Sequence, residues 1–235
     1  MTITANATAI VYGDSTIQTT AGGSGKRLAY VYTANNTYTK PSDLKYIKII
    51  IKGAGGGGGG AIPTANSSGG HGGTGATLTI WSNAPQLPAS AMPIVVGIGG
   101  AGGAASAPGS AGSNSSLTIS SSLLAAGAGG GGLVGTPYAS GGGATGSPGF
   151  PYFFPGLVYT DTVVGNTPVY TLAIGQPGFA AMGYGEYGLY GPATGGPGSV
   201  GLGYGSGGGG GTAGPTGVGA GQSGSPGFVY IEEYY

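Results

Sequence analysis

In 235 residues the chain holds 59 Gly and 16 Pro, no Cys, and a formal net charge of zero. Its 39% hydrophobic and 5% charged fractions exclude a solvated disordered linker, which avoids apolar residues and carries charge, even though ordinary chains hold only about 7% Gly. Absence of Cys excludes disulfides, zinc–thiolate sites and thiol catalysis, and six Lys and Arg balanced by six acids withhold the cation density that nucleic-acid binding needs.

The opening MTITANATAIVYGDS has neither the basic start nor the apolar core of a signal peptide. No stretch nears the ~18 apolar residues of a membrane helix. A soluble protein without membrane insertion is expected, one that, if it leaves its cell, does so by a route other than simple secretion. Residues 1–27 read as a separate N-terminal piece, with a short strand at 9–12, a turn at Gly13-Asp14-Ser15 and a flexible joint at 22–25. All six basic residues, Lys26, Arg27, Lys40, Lys45, Lys48 and Lys52, fall in the first 52 positions, opposed there by Asp14 and Asp43; the other acids are Asp161, Glu186, Glu232 and Glu233.

Residues 28–235 read as one glycine-rich β domain. After a weakly alternating stretch at 28–33, Tyr38-Thr39-Lys40-Pro41 leads into a turn at Ser42-Asp43. The clearest strand follows at 45–52, where β-branched and aromatic residues alternate with period two. Lys45, Ile47, Ile49 and Ile51 form its expected buried face, and Tyr46, Lys48, Ile50 and Lys52 the other. Further strands are predicted at 76–81, 93–98, 116–124, 157–160, 168–174 and 228–233, with a hairpin around Gly165-Asn166. Gly and Pro interrupt every window that might form a long amphipathic helix. The class is therefore all-β, a β-sandwich-like glycine-rich domain with extended segments.

Between the strands stand glycine runs at 55–60, 129–132, 141–143 and 207–211, flanked by Ala, Ser and Thr and following no fixed period. Glycine loses more freedom on folding than any other residue, so ordering these runs needs a cooperative scaffold of backbone hydrogen bonds. Laterally bonded polyproline-II-like strands, with three residues per turn, would supply one. Strict collagen is excluded because no sustained Gly-X-Y register is present.

Motifs for catalysis lack their context. Gly53 to Gly58 satisfies G-x-G-x-x-G after a strand, yet no helix follows, and the next acid is Asp161 rather than one ~20 residues on. Gly25-Lys26 is followed by Arg27, not by the Ser or Thr of a phosphate loop. His71 sits between glycines, where a solvated or backbone-bonded side chain is the plainer reading than a metal ligand on a symmetry axis. Asp161 and Glu186 stand apart in sequence and do not announce a hydrolytic pair, while Glu232 and Glu233 are expected to balance the basic strand 45–52 at a sheet edge or subunit contact. No cofactor and no metal are expected, and no enzyme. The strongest signal is aromatic: Tyr138, Phe150, Tyr152, Phe153, Phe154, Tyr159, Tyr170, Tyr184, Tyr187 and Tyr190 gather among Pro and Gly, mostly inside 150–192. Tyr gives a large, rigid, amphipathic contact at low entropy cost, so these rings read as a binding surface, as a core of their own, or as both.

Several segments, in order, resemble the glycine-rich domains of bacteriophage tail fibres and adhesins. The run Tyr12-Gly13-Asp14-Ser15-Thr16-Ile17-Gln18-Thr19-Thr20-Ala21 is similar to a short segment recurring in tail fibres, with Gly and Asp exchanged. Tyr38-Thr39-Lys40-Pro41, the strand at 44–52 and Gly53-Ala54 with 55–60 are similar to the aromatic-T-x-P turn, strand and G-A-G-G-G-G of that family. Gly69 to Leu78, Ile94-Val95-Val96-Gly97-Ile98-Gly99-Gly100, Gly112 to Leu117, Ala126 to Gly132 and the closing Pro226 to Tyr234 continue the likeness. Residues 150–192 depart from it as an insertion. The resemblance implies a virion tail or surface appendage, released by lysis, with a docking or trimerising segment at 1–27. It implies a homotrimer, contacts with other tail or baseplate proteins, and the ten rings as candidate contacts to a bacterial surface receptor. Some adhesins of related composition fold their glycine stretches as polyglycine-II sandwiches. The alternative is a purely structural virion protein, a baseplate, decoration or filament subunit, whose rings pack between subunits; an ice-binding polyglycine protein is a third reading.

Overall fold

Isoleucines 47, 49 and 51 carry an inner strand of a β-sandwich because branched side chains on one face of a pleat find a second sheet to cover them. The computed structural model describes residues 26–63, 67–134, 195–214 and 217–235, together with the two-residue strands at Thr4–Ala5, Ile10–Val11, Ile17–Gln18 and Ala144–Thr145. The fold is all-β, and its sheets are antiparallel.

Near the N-terminus β1 (Thr4–Ala5), β2 (Ile10–Val11) and β3 (Ile17–Gln18) pair in chain order. A four-stranded sheet has the order β4 (Arg27–Tyr32), β14 (Phe228–Tyr234), β6 (Tyr46–Lys52) and β7 (Thr77–Asn83). The facing sheet runs β11 (Ala144–Thr145), β10 (Ser122–Ala126), β9 (Ser115–Ile119), β8 (Met92–Val95) and β5 (Asn36–Tyr38). A small ribbon joins β12 (Ala213–Gly214) to β13 (Gly217–Val218).

Register fixes which side chains meet. Ile49 lies opposite Ile231 on one side and Ile80 on the other, and Ile51 opposite Val229 and Leu78. These residues, with Met92, Ile94, Leu117, Ile119 and Leu124 of the facing sheet, form the buried core. Full burial of each such side chain is worth about 1.5–3 kcal/mol. The expected inner face of β6 is confirmed at Ile47, Ile49 and Ile51, but Lys45, expected on that face, is exposed and precedes the strand, and Ile50 and Lys48 on the other face are buried too.

Two strand expectations need correction. Residues 116–124 are not one strand but the β9–β10 hairpin, reversed at Ser120, which holds the left-handed φ of 55°. The Glu232–Glu233 pair is not at a sheet edge, because β14 lies between β4 and β6. There Glu232 stands opposite Lys48 and pairs with Arg27. Glu233 points into the sandwich and accepts hydrogen bonds from the hydroxyls of Tyr38, at 2.8 Å, and Tyr235, at 2.6 Å. The strands expected at 157–160 and 168–174, and the hairpin around Gly165, lie outside the described residues.

The sandwich strands continue, without a break in direction, into glycine-rich extended helices. Residues 53–61 prolong β6; 69–76 lead into β7; 97–104 leave β8; 107–114 enter β9; 127–133 leave β10; and 219–227 enter β14. Six of the glycine helices are thus continuations of sandwich strands.

Candidate functional site

The bonding of residues 53–61 defines the bundle. Gly55, Gly58 and Ala61 donate to the carbonyls of Ser225, Gln222 and Gly219; Gly56 and Gly59 to Gly73 and Gly70; Gly57 and Gly60 to Ser110 and Ala107, all at 2.8–3.0 Å. Their carbonyls accept at the same interval, Gly55 and Gly58 from Gly100 and Gly103, Ala54 and Gly57 from Gly129 and Gly132, Gly56 and Gly59 from Gly208 and Gly211. Every third residue meets the same neighbour, which is the three-residue turn of a polyglycine-II helix. The central helix therefore has six neighbours. Those that accept from it run antiparallel to it, and those that donate to it run parallel.

The neighbours also bond to one another around a closed ring: 69–76 to 127–133, then 107–113, 98–104, 219–227, 205–211 and back to 69–76. An outer helix, 195–201, fills the groove between 205–211 and 219–227, with Gly198 and Gly201 donating to Ala220 and Ser223. On a hexagonal net these pairings make three layers. The first holds 98–104, 219–227 and 195–201; the second 107–113, 53–61 and 205–211; the third 127–133 and 69–76.

Such spacing leaves no room for a side chain at any place from Gly55 to Gly60. A Cβ on Gly57 would lie 1.9 Å from the Ala101 carbonyl oxygen, and one on Gly58 2.1 Å from that of Gly209. In the 98–104 helix one position in three opens outward, at Ile98, Ala101 and Ala104. A three-residue period is therefore present in space although no fixed period is visible along the sequence.

This geometry also disposes of the nucleotide fingerprint. A phosphate-cradling loop needs free backbone N–H groups at a helix N-terminus, whereas those of Gly55 to Gly60 are all committed to carbonyls. His71 takes an outward place in the 69–76 helix, half-buried, with Thr74 one turn on. Between Gly53 and Gly227 the described residues include no Asp, Glu, Lys or Arg.

What the bundle positions is its end remote from the sheets. There residues 62–63, 67–68, 104–107, 212–214 and 217–218 converge, tied by Ser106 donating to Ala61, Ala61 to Gly219, and Ala213 to Ser67. Thr212 bridges both Ser68 and Gly196. The chain leaves this end at Val134, beside the exposed Leu133, pairs Ala144–Thr145 against Ala126 and Ala125 of β10, and re-enters at Gly195. Gly195 holds a φ of 94° and turns the chain into the outer helix. Tyr138, Phe150, Tyr152, Phe153, Phe154, Tyr159, Tyr170, Tyr184, Tyr187 and Tyr190 all lie outside the described residues.

The opposite end holds features that sequence reasoning missed. Burial and the bond to Glu233 push the Tyr38 hydroxyl well above the usual phenol range, and the same causes act on Tyr235. Burial, with help from the Arg27 charge, lowers Lys48. The register of β4 and β14 carried this signal, since it sets Arg27 opposite Tyr234, but pairing of strands 200 residues apart is not visible in local pattern.

A family model described as a glycine-rich domain matches residues 30–234. No curated protein sequence matches the chain.

Proposed function

The chain belongs to the glycine-rich domain family, and from that premise we propose that it is a bacteriophage tail-fibre or adhesin subunit. In this reading it binds a bacterial surface receptor, a polysaccharide or an outer-membrane protein, and performs no catalysis. The observation that carries the reading is the division of labour in the bundle. Around Gly55 to Gly60 its interior admits no side chain, so large side chains are confined to the outer positions and to the connections gathered at the remote end. A rigid scaffold presenting loops at one end is the arrangement that recognition proteins use. The segment 135–194 leaves and re-enters at that end and carries the aromatic residues named above, a composition suited to contact with sugars or protein loops. Homotrimeric assembly, attachment to tail or baseplate proteins and a place on the virion belong to the same proposal.

The test is a particle whose subunit lacks residues 150–192. It should assemble and fail to adsorb to its host, and purified full-length chain should compete for adsorption where the shortened one does not. Normal adsorption by the deleted particle would sink receptor binding. Loss of assembly instead would favour the purely structural virion role, with the rings packing between subunits.

A further inference from the structure

The formal charge of the described residues is confined to the sandwich, and most of its acid is spent internally. Glu232 is held by Arg27, Glu233 by two tyrosine hydroxyls, and both carboxylates are buried. Among the described residues that leaves Asp43 as the exposed acid, against the exposed cations Lys26, Arg27 and Lys45. These cations stand together at the end of the four-stranded sheet remote from the bundle. Arg27 opens β4 opposite Tyr234, Tyr234 lies opposite Tyr46, and Lys45 donates its backbone N–H to the Tyr234 carbonyl at 2.9 Å. It is also the end at which residues 1–25 join the sheet.

Aromatic rings share this surface. Tyr46 is 54% exposed and Trp81 39% exposed. Trp81 lies 5.7 Å from Tyr234, and cations already sit over neighbouring rings, Lys26 over Tyr235 at 4.5 Å, Arg27 over Tyr234 at 5.6 Å and Lys48 over Trp81 at 5.3 Å. Rings held in place by cations lose little freedom when covered, and Tyr, Trp and Arg are the residues that dominate protein interfaces.

We infer that this end of the sheet is a docking surface for a second protein whose facing patch is acidic around an apolar or aromatic centre. Charge complementarity selects the acidic rim, and the exposed Tyr46 and Trp81 select the apolar centre. The number of cations argues against a phosphate polymer, which is bound through ~6–10 phosphate contacts. Where the partner sits on a particle rests on the proposed tail-fibre reading; the chemistry of the surface does not.

The test uses the full chain and two variants, Tyr46→Ser with Trp81→Ser and Lys26→Glu with Lys45→Glu, all at exposed positions and checked by circular dichroism and melting temperature. The probes are an immobilised random copolymer of glutamate and tyrosine, heparin as a sulfated polysaccharide, and particles assembled without this chain. The wild-type chain should bind the copolymer in a salt-sensitive way and prefer it to heparin, and each variant should lose about tenfold in affinity. Copolymer binding unchanged in both variants, or heparin bound as tightly as the copolymer, overturns the proposal. Variant-sensitive copolymer binding by a chain that ignores the particles upholds the surface and removes the tail-fibre reading. Loss of particle attachment in both variants, with host-cell binding intact, supports surface and reading together.

Discussion

Residues 46–52 and 53–61 are one unbroken extended segment, yet the two halves are held by different forces. In β6 stability comes from side chains: Ile47, Ile49 and Ile51 are removed from water against a second sheet. In the helix that follows it comes from the backbone, since each N–H from Gly53 to Ala61 donates to a carbonyl of a neighbouring segment. The sandwich tolerates variation in shape at modest cost, because a core can partly collapse around a smaller residue. The glycine bundle cannot, because its contacts are between main chains that have nowhere to move. The chain therefore has one half where sequence is chosen by volume and another where it is chosen by the absence of a side chain.

The largest test of that contrast is Gly58→Val. Its Cβ would fall 2.1 Å from the Gly209 carbonyl oxygen, and shifting one helix breaks its bonds to several others, so a loss above about 4–5 kcal/mol is expected. The variant should be insoluble or melt far below the wild type, whereas Ala101→Val, on an outward position of the same bundle, should stay within about 0.5 kcal/mol. Equal damage from the two would show that the helices are not packed on a tight net. Ile49→Ala comes next, with an expected loss of about 2–5 kcal/mol, read as a lowered denaturant midpoint at an unchanged slope.

Tyr38→Phe is the smallest. Removing one donor from the buried Glu233 carboxylate should cost about 1.5–3 kcal/mol at neutral pH. Its pH dependence separates it from a packing change. The folded protein holds the Tyr38 proton more tightly than the unfolded chain, whose phenol ionises near the ordinary 10.0. The wild type should therefore keep its stability below that pH and lose it as pH rises beyond it. In the variant the alkaline loss should be shallower, and an equally steep loss would mean that Tyr38 titrates as freely folded as unfolded.

The sandwich was the more legible half in sequence. β6 announced itself through Ile47, Ile49 and Ile51 because a two-sheet core imposes period two on its residues. β14 was readable from Phe228 to Glu233 for the same reason, though not its place between two strands from the chain's beginning. The bundle hid its order because the glycine requirement depends on lattice position. The central helix needs glycine at every place from Gly55 to Gly60, each of which would clash through a Cβ. The 98–104 helix needs it at two places in three, leaving Ile98, Ala101 and Ala104 outward. The 107–113 helix needs it only at Gly109 and Gly112, with Ser110, Ala111 and Ser113 exposed. One spatial period thus appears in sequence as three different patterns. The β9–β10 reversal was missed because Ser120-Ser121 sits in a run of serines that carries neither Gly nor Asn as a turn signal. The ten aromatic residues from Tyr138 to Tyr190 were read from composition alone and lie outside the described residues, whereas at the end of the sheet remote from the bundle the pairing of Arg27, Tyr234 and Tyr46 needed the strand order before it could be seen.

The ring around the central helix has a consequence for how the molecule is made. Residues 53–61 are synthesised early, but two of their six partners, 205–211 and 219–227, and the strand β14 that separates β4 from β6, come much later in the chain, 219–227 the later of the two. At a translation rate of ~5–20 residues per second the central helix waits on the order of ten seconds for that partner to be synthesised. Contacts this distant in sequence make folding slow. Meanwhile the nascent chain exposes Ile49, Ile50 and Ile51 beside bare glycine backbone, both ready to pair with another copy. Yield of this protein should accordingly depend on the supply of chaperones during translation more than on the stability of the finished fold.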